Sequence, residues 1–574
     1  MAQIDTADGA GLHAIAITDQ VERWSRRIAR AWSVAAIALF VALAVTVGVP
    51  HGPDLETWER GIQLGAVVLL IAATVLAWRW EGWGGGIMLV GAILLGLLTA
   101  LQHQPLVAFL PTAVFLVPAV GFLIAWHRTK SAASVVVLAT VIVMVLFTGS
   151  VLAQEFYDRG FGPAHPQSTL PALPDTPVTW IWSGGVTDTS AVVVARVATS
   201  QEAALVVTEP GGQSTTHPGV RNDDVWRFAV SDLEPATPYQ YAVAVGESPV
   251  VERLGSFTTR SSGPMSLKVA VASCARLGSN GRVFETILET DPDLFISSGD
   301  LFYVDHARTA DHFTDAYLQT LTQPAQAALY AAVPIAYVWD DHDYGGNDSD
   351  STAPSRQQAL DAYRRNVPHY ALPAANAIYQ SFAIGRVQFV LLDDRSQRDP
   401  KSEPDGPDKT MLGAAQLEWL QERLLASDNF ALTVIVSQVP WIASQQDGAD
   451  HWAGYAYERR TIADLIAEHK IDNILMVTGD AHLVAVDDGT NTDYSAAGNA
   501  SFPLLHAAAL DRPGSVKGGP FSEGMHPGGG QFGLIEVVDT GSDHVTVHLR
   551  GLDWEGNELV GYSFMVPAAD EGAP

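Results

Sequence analysis

Five long apolar runs follow one another near the start of the chain, at about 31–50, 62–79, 85–102, 105–126 and 132–153. Each is close to the ~20 residues that span a ~30 Å hydrocarbon core. None carries Lys, Arg, Asp or Glu well inside it. A buried soluble core does not produce such a series, so the sequence predicts an all-α transmembrane bundle of five helices over 31–153. Arg23, Arg26, Arg27 and Arg30 precede the first run, and Arg79, Arg128 and Lys130 fall on the same side under alternate crossing. Positive charge marks the cytoplasmic side. Residues 1–30 are therefore expected in the cytoplasm and everything from 154 onward outside it, in a multi-pass protein of the cell membrane. About thirty polar residues before the first run argue against a signal peptide. Helices without ionisable residues offer no proton relay or ion path, which leaves anchoring or helix association. Gly84, Gly85, Gly86, Gly91 and Gly96 permit close helix packing.

Composition sharpens this division. Mean hydropathy is positive (+0.13) although the formal charge is −30. Residues 1–153 hold 8 basic and 8 acidic residues, which leaves 25 of the 33 basic and 55 of the 63 acidic residues for 154–574. The later part carries the whole negative charge, which excludes a nucleic-acid backbone as partner. Residues 154–176 are rich in Pro and polar residues and read as a semi-rigid linker. Short β-type runs separated by turn residues then predict a β-sandwich over 177–262, of fibronectin III or immunoglobulin-like type. Its Leu233–Tyr241 stretch resembles the corner at which a Tyr ties a strand to the preceding loop. Nothing in it suggests chemistry.

From 266 to 566 the pattern changes to α/β alternation. Apolar strand-like runs end in Cys274, in Gly299-Asp300 with Tyr303 three residues on, in Asp340-Asp341-His342-Asp343, and in Gly479-Asp480-Ala481-His482. Ligands of such folds sit outside the carboxyl ends of the strands, so these four ends are expected to converge on one metal site. Carboxylates suit Ca²⁺, Mg²⁺ or Mn²⁺, whereas thiolate, phenolate and imidazole suit iron or another transition metal. Cys274 is the single cysteine of the chain, so no intrachain disulfide forms. A further strand end carries Asp393-Asp394-Arg395, and a guanidinium there can clamp phosphate or pair with the neighbouring carboxylates. Segment 511–530, rich in Gly and Pro, reads as a loop near the site, with His526 as a lesser candidate.

The runs SCARLGSN, GDLFY, WDDHDYGGND, LDDRSQR, GADHWAGYAYERR and TGDAH resemble the PhoD-like (alkaline phosphatase D) metallophosphoesterases. The resemblance covers about 175–550; the apolar module before it is a departure from the family's exported soluble members. It implies a four-layer α/β/β/α domain that hydrolyses phosphate esters by a metal-activated water at an iron–calcium centre (Fe³⁺ and Ca²⁺, other divalent metals remaining open). It further implies Cys274 and Tyr303 as iron ligands, Asp300 as the bridging ligand, Asp480 and His482 as the last metal-binding pair, Asp341 and Asn347 as further ligands, and His342 as the catalytic histidine. Arg276 stands where the wider superfamily has a metal-binding His and can contact phosphate instead. Gln438 stands at another such position. His342 would stabilise the transition state or protonate the leaving oxygen, with Arg395 on the phosphate. The expected protein is thus a membrane-anchored extracytoplasmic phosphatase or phosphodiesterase, with soluble or lipid-linked phosphate esters as substrates and the bilayer as partner. Two alternatives remain open. One is a non-catalytic receptor or adhesion protein, and the other an accessory outer domain of a lipid-handling membrane protein.

Overall fold

A computed structural model describes residues 23–35, 69–102, 105–127, 166–246, 248–261 and 263–568. The chain divides into two compact units, 1–156 and 157–574.

The described part of the first unit is helical, over residues 23–35 and 69–77 and in helices Glu81–Gln102 and Pro105–His127. Its packing runs small side chains inward. Ala29, Ala73, Ala77, Ala92 and Ala119 are buried with Leu70, Met88, Phe115 and Phe122. Ile28, Trp32, Leu69, Val75, Trp83, Val117 and Val120 face outward and are exposed. Gly84 is the tightest approach, since a Cβ there would lie 2.2 Å from the Ala77 backbone nitrogen. Arg26 pairs with Glu81, and Arg30 donates to the Trp78 carbonyl at 3.2 Å. Five membrane crossings are not observed: no helix among the described residues is long and apolar enough to cross a membrane. The runs at 31–50, 62–79 and 132–153 lie wholly or partly outside the described residues. A hydropathy run records composition; helices Glu81–Gln102 and Pro105–His127 extend over the runs at 85–102 and 105–126.

The described residues of the second unit form three sheets. A five-stranded sheet centred on Ala203–Thr208 and Pro238–Val245 packs against Val178–Gly184, Ala191–Val197 and Val225–Val230 around Leu205, Val207, Tyr241, Val243, Val193 and Phe228. Tyr239 closes the expected corner, its Oη accepting from the Glu234 N–H at 2.9 Å. The second of these layers does not stop at the sandwich. Val178–Gly184 pairs in parallel with Ile335–Tyr337 through Gly184 and Ile335, so that one ten-stranded sheet runs through both regions.

The part that positions the site is two facing sheets. In one, Leu267–Ala272, Leu294–Ser297 and Ile335–Tyr337 are parallel neighbours. In the other, Val387–Leu391, Leu432–Val436, Ile474–Thr478 and Leu504–Ala507 are parallel. Every residue of Val387–Leu391, Leu432–Val436 and Ile474–Thr478 is buried, which explains why they are mostly apolar, with only Gln388, Thr433 and Thr478 polar, rather than alternating. The period of two still sorts their side chains. Phe389, Val434 and Val477 join Val269, Leu294 and Ile296 between the sheets. Val390, Ile435 and Met476 pack outward against Leu420 and Leu424 of helix Ala414–Leu425 and Ile462 and Ile466 of helix Ala456–His469. Helices Arg282–Glu289 and Pro324–Ala332 cover the other sheet through Phe284, Ile287 and Leu329. The layers are therefore helix, sheet, sheet, helix.

Candidate metal centre

Four strand ends deliver the centre. Leu267–Ala272 leads to Cys274, Leu294–Ser297 to Asp300, Ile335–Tyr337 to Asp340–Asp343, and Ile474–Thr478 to Asp480 and His482. Cys274 (φ 63°), Asp300 (φ 51°) and Asp480 (φ 69°) all adopt left-handed backbone. Such conformations cost side-chain-bearing residues free energy and cluster at functional sites. Before Asp300, Gly299 has φ 113°, and a Cβ there would lie 2.5 Å from the Asp340 Cβ. The glycine lets the Asp300 turn close on the Asp340–Asp343 loop.

Cys274, Asp300, Tyr303 and His482 share one side of the centre. The Cys274 thiol is buried, 3.2 Å from Ser273 Oγ and 3.8 Å from the Asp480 carbonyl oxygen. Tyr303 Oη lies 3.2 Å from His482 Nε2. His482 Nδ1 is 2.6 Å from the Pro513 carbonyl, which can only accept. The proton therefore sits on Nδ1 and the Nε2 lone pair faces Tyr303, the arrangement that orients an imidazole for a metal. Asp300 Oδ1 accepts from the His342 N–H at 3.2 Å, and Asp300, Asp341 and His342 bring ligand atoms within 4.8 Å of one another. A second such group joins Asp341 to Asp348 and Asp450. Asp341 Oδ2 accepts from the Asp348 N–H at 2.6 Å.

The carboxylates of the centre are short of donors. Asp340 Oδ2, Asp341 Oδ1 and Asp480 Oδ2 are buried without a hydrogen-bond partner, and orphaned buried oxygens call for an ion or water. Burial pushes the Cys274 thiol well above its ordinary range, and the Asp300 charge adds to this. Burial likewise raises the Asp300 carboxyl, with His342 opposing and Asp341 and Asp343 reinforcing. A bound cation inverts this balance by stabilising the ionised ligands. Burial, with Arg512 and Lys517 nearby, holds His482 well below the usual histidine range, which keeps the neutral imidazole that metals bind. Thiol, phenol and imidazole on one side and carboxylates beside them fit a transition metal next to a harder cation.

His342 is buried beside this group. Its Nδ1 is 2.5 Å from Asp305 Oδ1, and its ring lies 4.0 Å from that of Tyr303 between centroids. Nδ1 is thus committed to Asp305, and Nε2, 3.8 Å from Asp341 Oδ1, faces the centre. Asp305 carries no motif of its own in the sequence; only the contact reveals it.

Arg395 differs from its expected place. It is fully buried, with Nε on Asp340 Oδ1 at 2.6 Å and Nη1 and Nη2 on Asp450 at 3.2 and 3.3 Å. Its donors are spent on carboxylates beneath the centre, so it positions acidic residues rather than clamping phosphate. Its partners are Asp340 and Asp450, not the adjacent Asp393 and Asp394, because the turn after the strand points the side chain across to the neighbouring loops. Asn347 is exposed, and the carboxylate that joins the acidic group is its neighbour Asp348. Arg276 is half-buried, with Nε buried and unpaired. Gln438 accepts from the Asp394 N–H at 2.9 Å and donates to the Leu392 carbonyl at 3.0 Å, an internal brace with no ligand role. His526 is exposed on strand Gly524–Pro527. The residues that sequence reasoning did not single out are Asp305, Asp450, Arg512 and Lys517; the last two lie in the segment already read as a loop near the site.

Asp394 gives a pH dependence that can be measured. Burial pushes its carboxyl up to about 6, against hydrogen bonds from Ser437 and the Gln438 N–H, and its Oδ1 is unpaired. A folded-state pKa above the unfolded value means the native state binds the extra proton. This contribution is therefore full below about pH 4 and is lost as pH rises toward 6. Asp394→Asn keeps the acceptor and removes the titration. The variant should gain thermal stability relative to wild type as pH is raised from 4 to 7, read by circular dichroism melts; an unchanged difference across that range would refute the assignment.

Comparison with known proteins follows the same residues. Residues 269–503 match the family model described as PhoD-like phosphatase, and residues 16–134 match a Domain of unknown function (DUF7670). Alkaline phosphatase D of Bacillus subtilis (strain 168) is 26% identical over 207 residues, 30% of this chain and 35% of that protein. Purple acid phosphatase 23 of Arabidopsis thaliana is 25% identical over 283 residues, 44% of this chain and 55% of that protein. The matched segments thus span about a third and about half of these curated relatives. The solved structure of PhoD superposes with a TM-score of 0.56 at 18% identity, covering 70% of this chain and 92% of that one, a likeness of fold.

Proposed function

We propose that this chain, which carries a PhoD-like phosphatase domain over residues 269–503, hydrolyses phosphate esters at a centre holding iron and calcium. The observation that carries the reading is the convergence of Cys274, Asp300, Tyr303, Asp341, Asp480 and His482 from separate strand ends, with three buried carboxylate oxygens left unpaired. Cys274, Tyr303 and His482 would hold the iron, Asp300 would bridge, and Asp341 and Asp480 would face the harder cation. Metals bound there would supply Lewis acidity to the phosphoryl oxygens and lower the pKa of water. The protein's own residues do the rest. Asp305 holds the Nδ1 proton of His342, so that as the imidazolium His342 would give its Nε2 proton to the leaving oxygen and be left as the neutral Nδ1–H form. Arg395 holds Asp340 and Asp450 in register beneath the site.

The reading includes a membrane anchor formed by the first unit, with the phosphatase domain outside the cytoplasm. Its support is the packing of that unit, in which alanines fill the interior beside Leu70, Met88, Phe115 and Phe122 while Ile28, Trp32, Leu69, Val75, Trp83, Val117 and Val120 are exposed. Small residues at helix contacts and large apolar residues on the exterior suit a lipid surroundings. The loop charges of the sequence support the orientation.

Full-length protein purified in detergent, with iron and calcium supplied, should turn over p-nitrophenyl phosphate or its bis ester. Elemental analysis should find both metals in the same preparation. A phenolate on Fe³⁺ gives a visible charge-transfer component beside that of a Cys274 thiolate, and Tyr303→Phe should remove the phenolate component while leaving Cys274 and His482 in place. A visible spectrum unchanged by the substitution would remove Tyr303 from the metal.

A further inference from the structure

Residues 154–574 bear the entire −30 of the chain, and a field of that sign slows the approach of an anionic ester. The guanidinium expected to counter it, Arg395, is buried among carboxylates. Beyond any bound metal, cationic side chains at the reacting centre therefore come from elsewhere in the fold.

One segment supplies them. Residues 510–519 run along the edge of the centre, held at several points by backbone contacts. Leu510 N–H donates to the Ser273 carbonyl at 2.9 Å, Ser515 N–H to the His482 carbonyl at 3.1 Å, and Gly519 N–H to the Ile442 carbonyl at 2.7 Å. Asp511 Oδ1 accepts from the Arg276 N–H at 2.5 Å. Arg512 and Lys517 lie within this strip. The Arg512 guanidinium stacks on the Tyr303 ring, 4.2 Å from its centroid. Lys517 Nζ donates to Asp480 Oδ1 at 2.9 Å. Both cations thus stand beside the candidate ligands, one against Tyr303 and one against Asp480, with Arg276 tied to the same strip. A metal held by Asp480 would draw on the same carboxylate charge and would leave the Lys517 ammonium available to a second anion.

We propose that Lys517, with Arg512, binds the phosphoryl oxygens of the substrate and biases the centre toward phosphomonoesters over diesters. The proposal rests on the phosphatase reading above and names the substrate class for that site. A monoester presents a dianionic phosphoryl group and a diester a monoanion. Fixed cations in a poorly solvated site therefore favour the monoester. Lys517 is suited to the role because an ammonium on a flexible stem can follow the phosphoryl group, while the stacked Arg512 stays fixed.

The test uses the full-length, metal-loaded protein as wild type, Lys517→Met, Lys517→Arg and Arg512→Met. Kinetics are measured with p-nitrophenyl phosphate and with bis(p-nitrophenyl) phosphate, binding of inorganic phosphate by calorimetry, and metal content by elemental analysis. Lys517→Met should raise KM for the monoester and weaken phosphate binding about tenfold to a hundredfold, change the diester values less, and keep the wild-type metal content. Lys517→Arg should recover most of the loss, and Arg512→Met should move the same two quantities in the same direction. Unchanged phosphate binding in Lys517→Met overturns the proposal. So does loss of metal from that variant, which would make Lys517 a support of the ligands. Wild-type protein that turns over neither ester would sink the phosphatase reading itself, whereas active wild type with an unaffected variant would sink only the role of Lys517.

Discussion

Asp300→Ala should lower kcat/KM by on the order of a thousandfold and abolish the stabilisation of the fold by metal. Asp300 is buried at the turn after its strand, in left-handed backbone, and its Oδ1 accepts from the His342 N–H. Removing it takes away a carboxylate common to both sides of the centre and loosens the loop that carries His342. The stability readout separates this from general damage. Without a cation, burial raises the Asp300 carboxyl well above the ordinary range, so the apo protein gains nothing from keeping it ionised. Apo Asp300→Ala should therefore melt within a few degrees of apo wild type. Adding metal should raise the melting temperature of the wild type only, by an amount set by ligand mass action, about 2.7 kcal/mol at a hundredfold excess over Kd. Wild-type-like turnover in Asp300→Ala, or an equal metal-induced shift, would sink the assignment of the centre.

The second large effect is on stability. Arg395→Met should destabilise the second unit by about 3–5 kcal/mol, the range for removing one partner of a buried ion pair. The wild-type guanidinium is fully buried, bonded to Asp340 and Asp450 and 3.7 Å from Asp341. Burial alone would raise the Asp450 carboxyl, but Arg395 and Arg398 hold it far below the carboxylate range. A depressed carboxylate contributes stability that is present above its unfolded pKa and lost only as pH falls through the folded value. The network therefore persists well into acid in the wild type, and Arg395→Met should become acid-labile at higher pH. Arg395→Lys keeps the charge but not the planar fork, so it should fall between the two. Adding Asp450→Asn to Arg395→Met should restore part of the loss, since the orphaned charge is then gone. Chemical denaturation read by tryptophan fluorescence measures all four. A variant that keeps its stability but raises KM would instead return Arg395 to the substrate.

Much of the centre was legible because its residues sit at strand ends. An apolar run closing on Cys274, Gly299-Asp300, Asp340–Asp343 or Gly479–His482 is visible in one dimension, and the α/β alternation says that such ends converge. Tyr303 could be added because it follows Asp300 by three residues. Asp305 could not, since an aspartate in a polar loop looks like any solvated residue until the chain returns His342 to it. Arg395 misled for a related reason. Its sequence neighbours are Asp393 and Asp394, but a side chain after a strand is aimed by the turn, and this one reaches Asp340 and Asp450 some 55 positions away in both directions.

The apolar runs mark the opposite limit. Composition determined that the chain has a neutral apolar module and an acidic one, and strand-end chemistry determined where a metal centre would form, because both are properties of contiguous residues. Tertiary structure alone decided which cations are available. It buried Arg395 among carboxylates, brought Lys517 and Arg512 to Asp480 and Tyr303, and continued the sandwich layer through Gly184 into the sheet that carries the candidate centre. Charge pairing and sheet registry depend on distance in space, and the residues concerned are separated by tens to hundreds of positions along the chain.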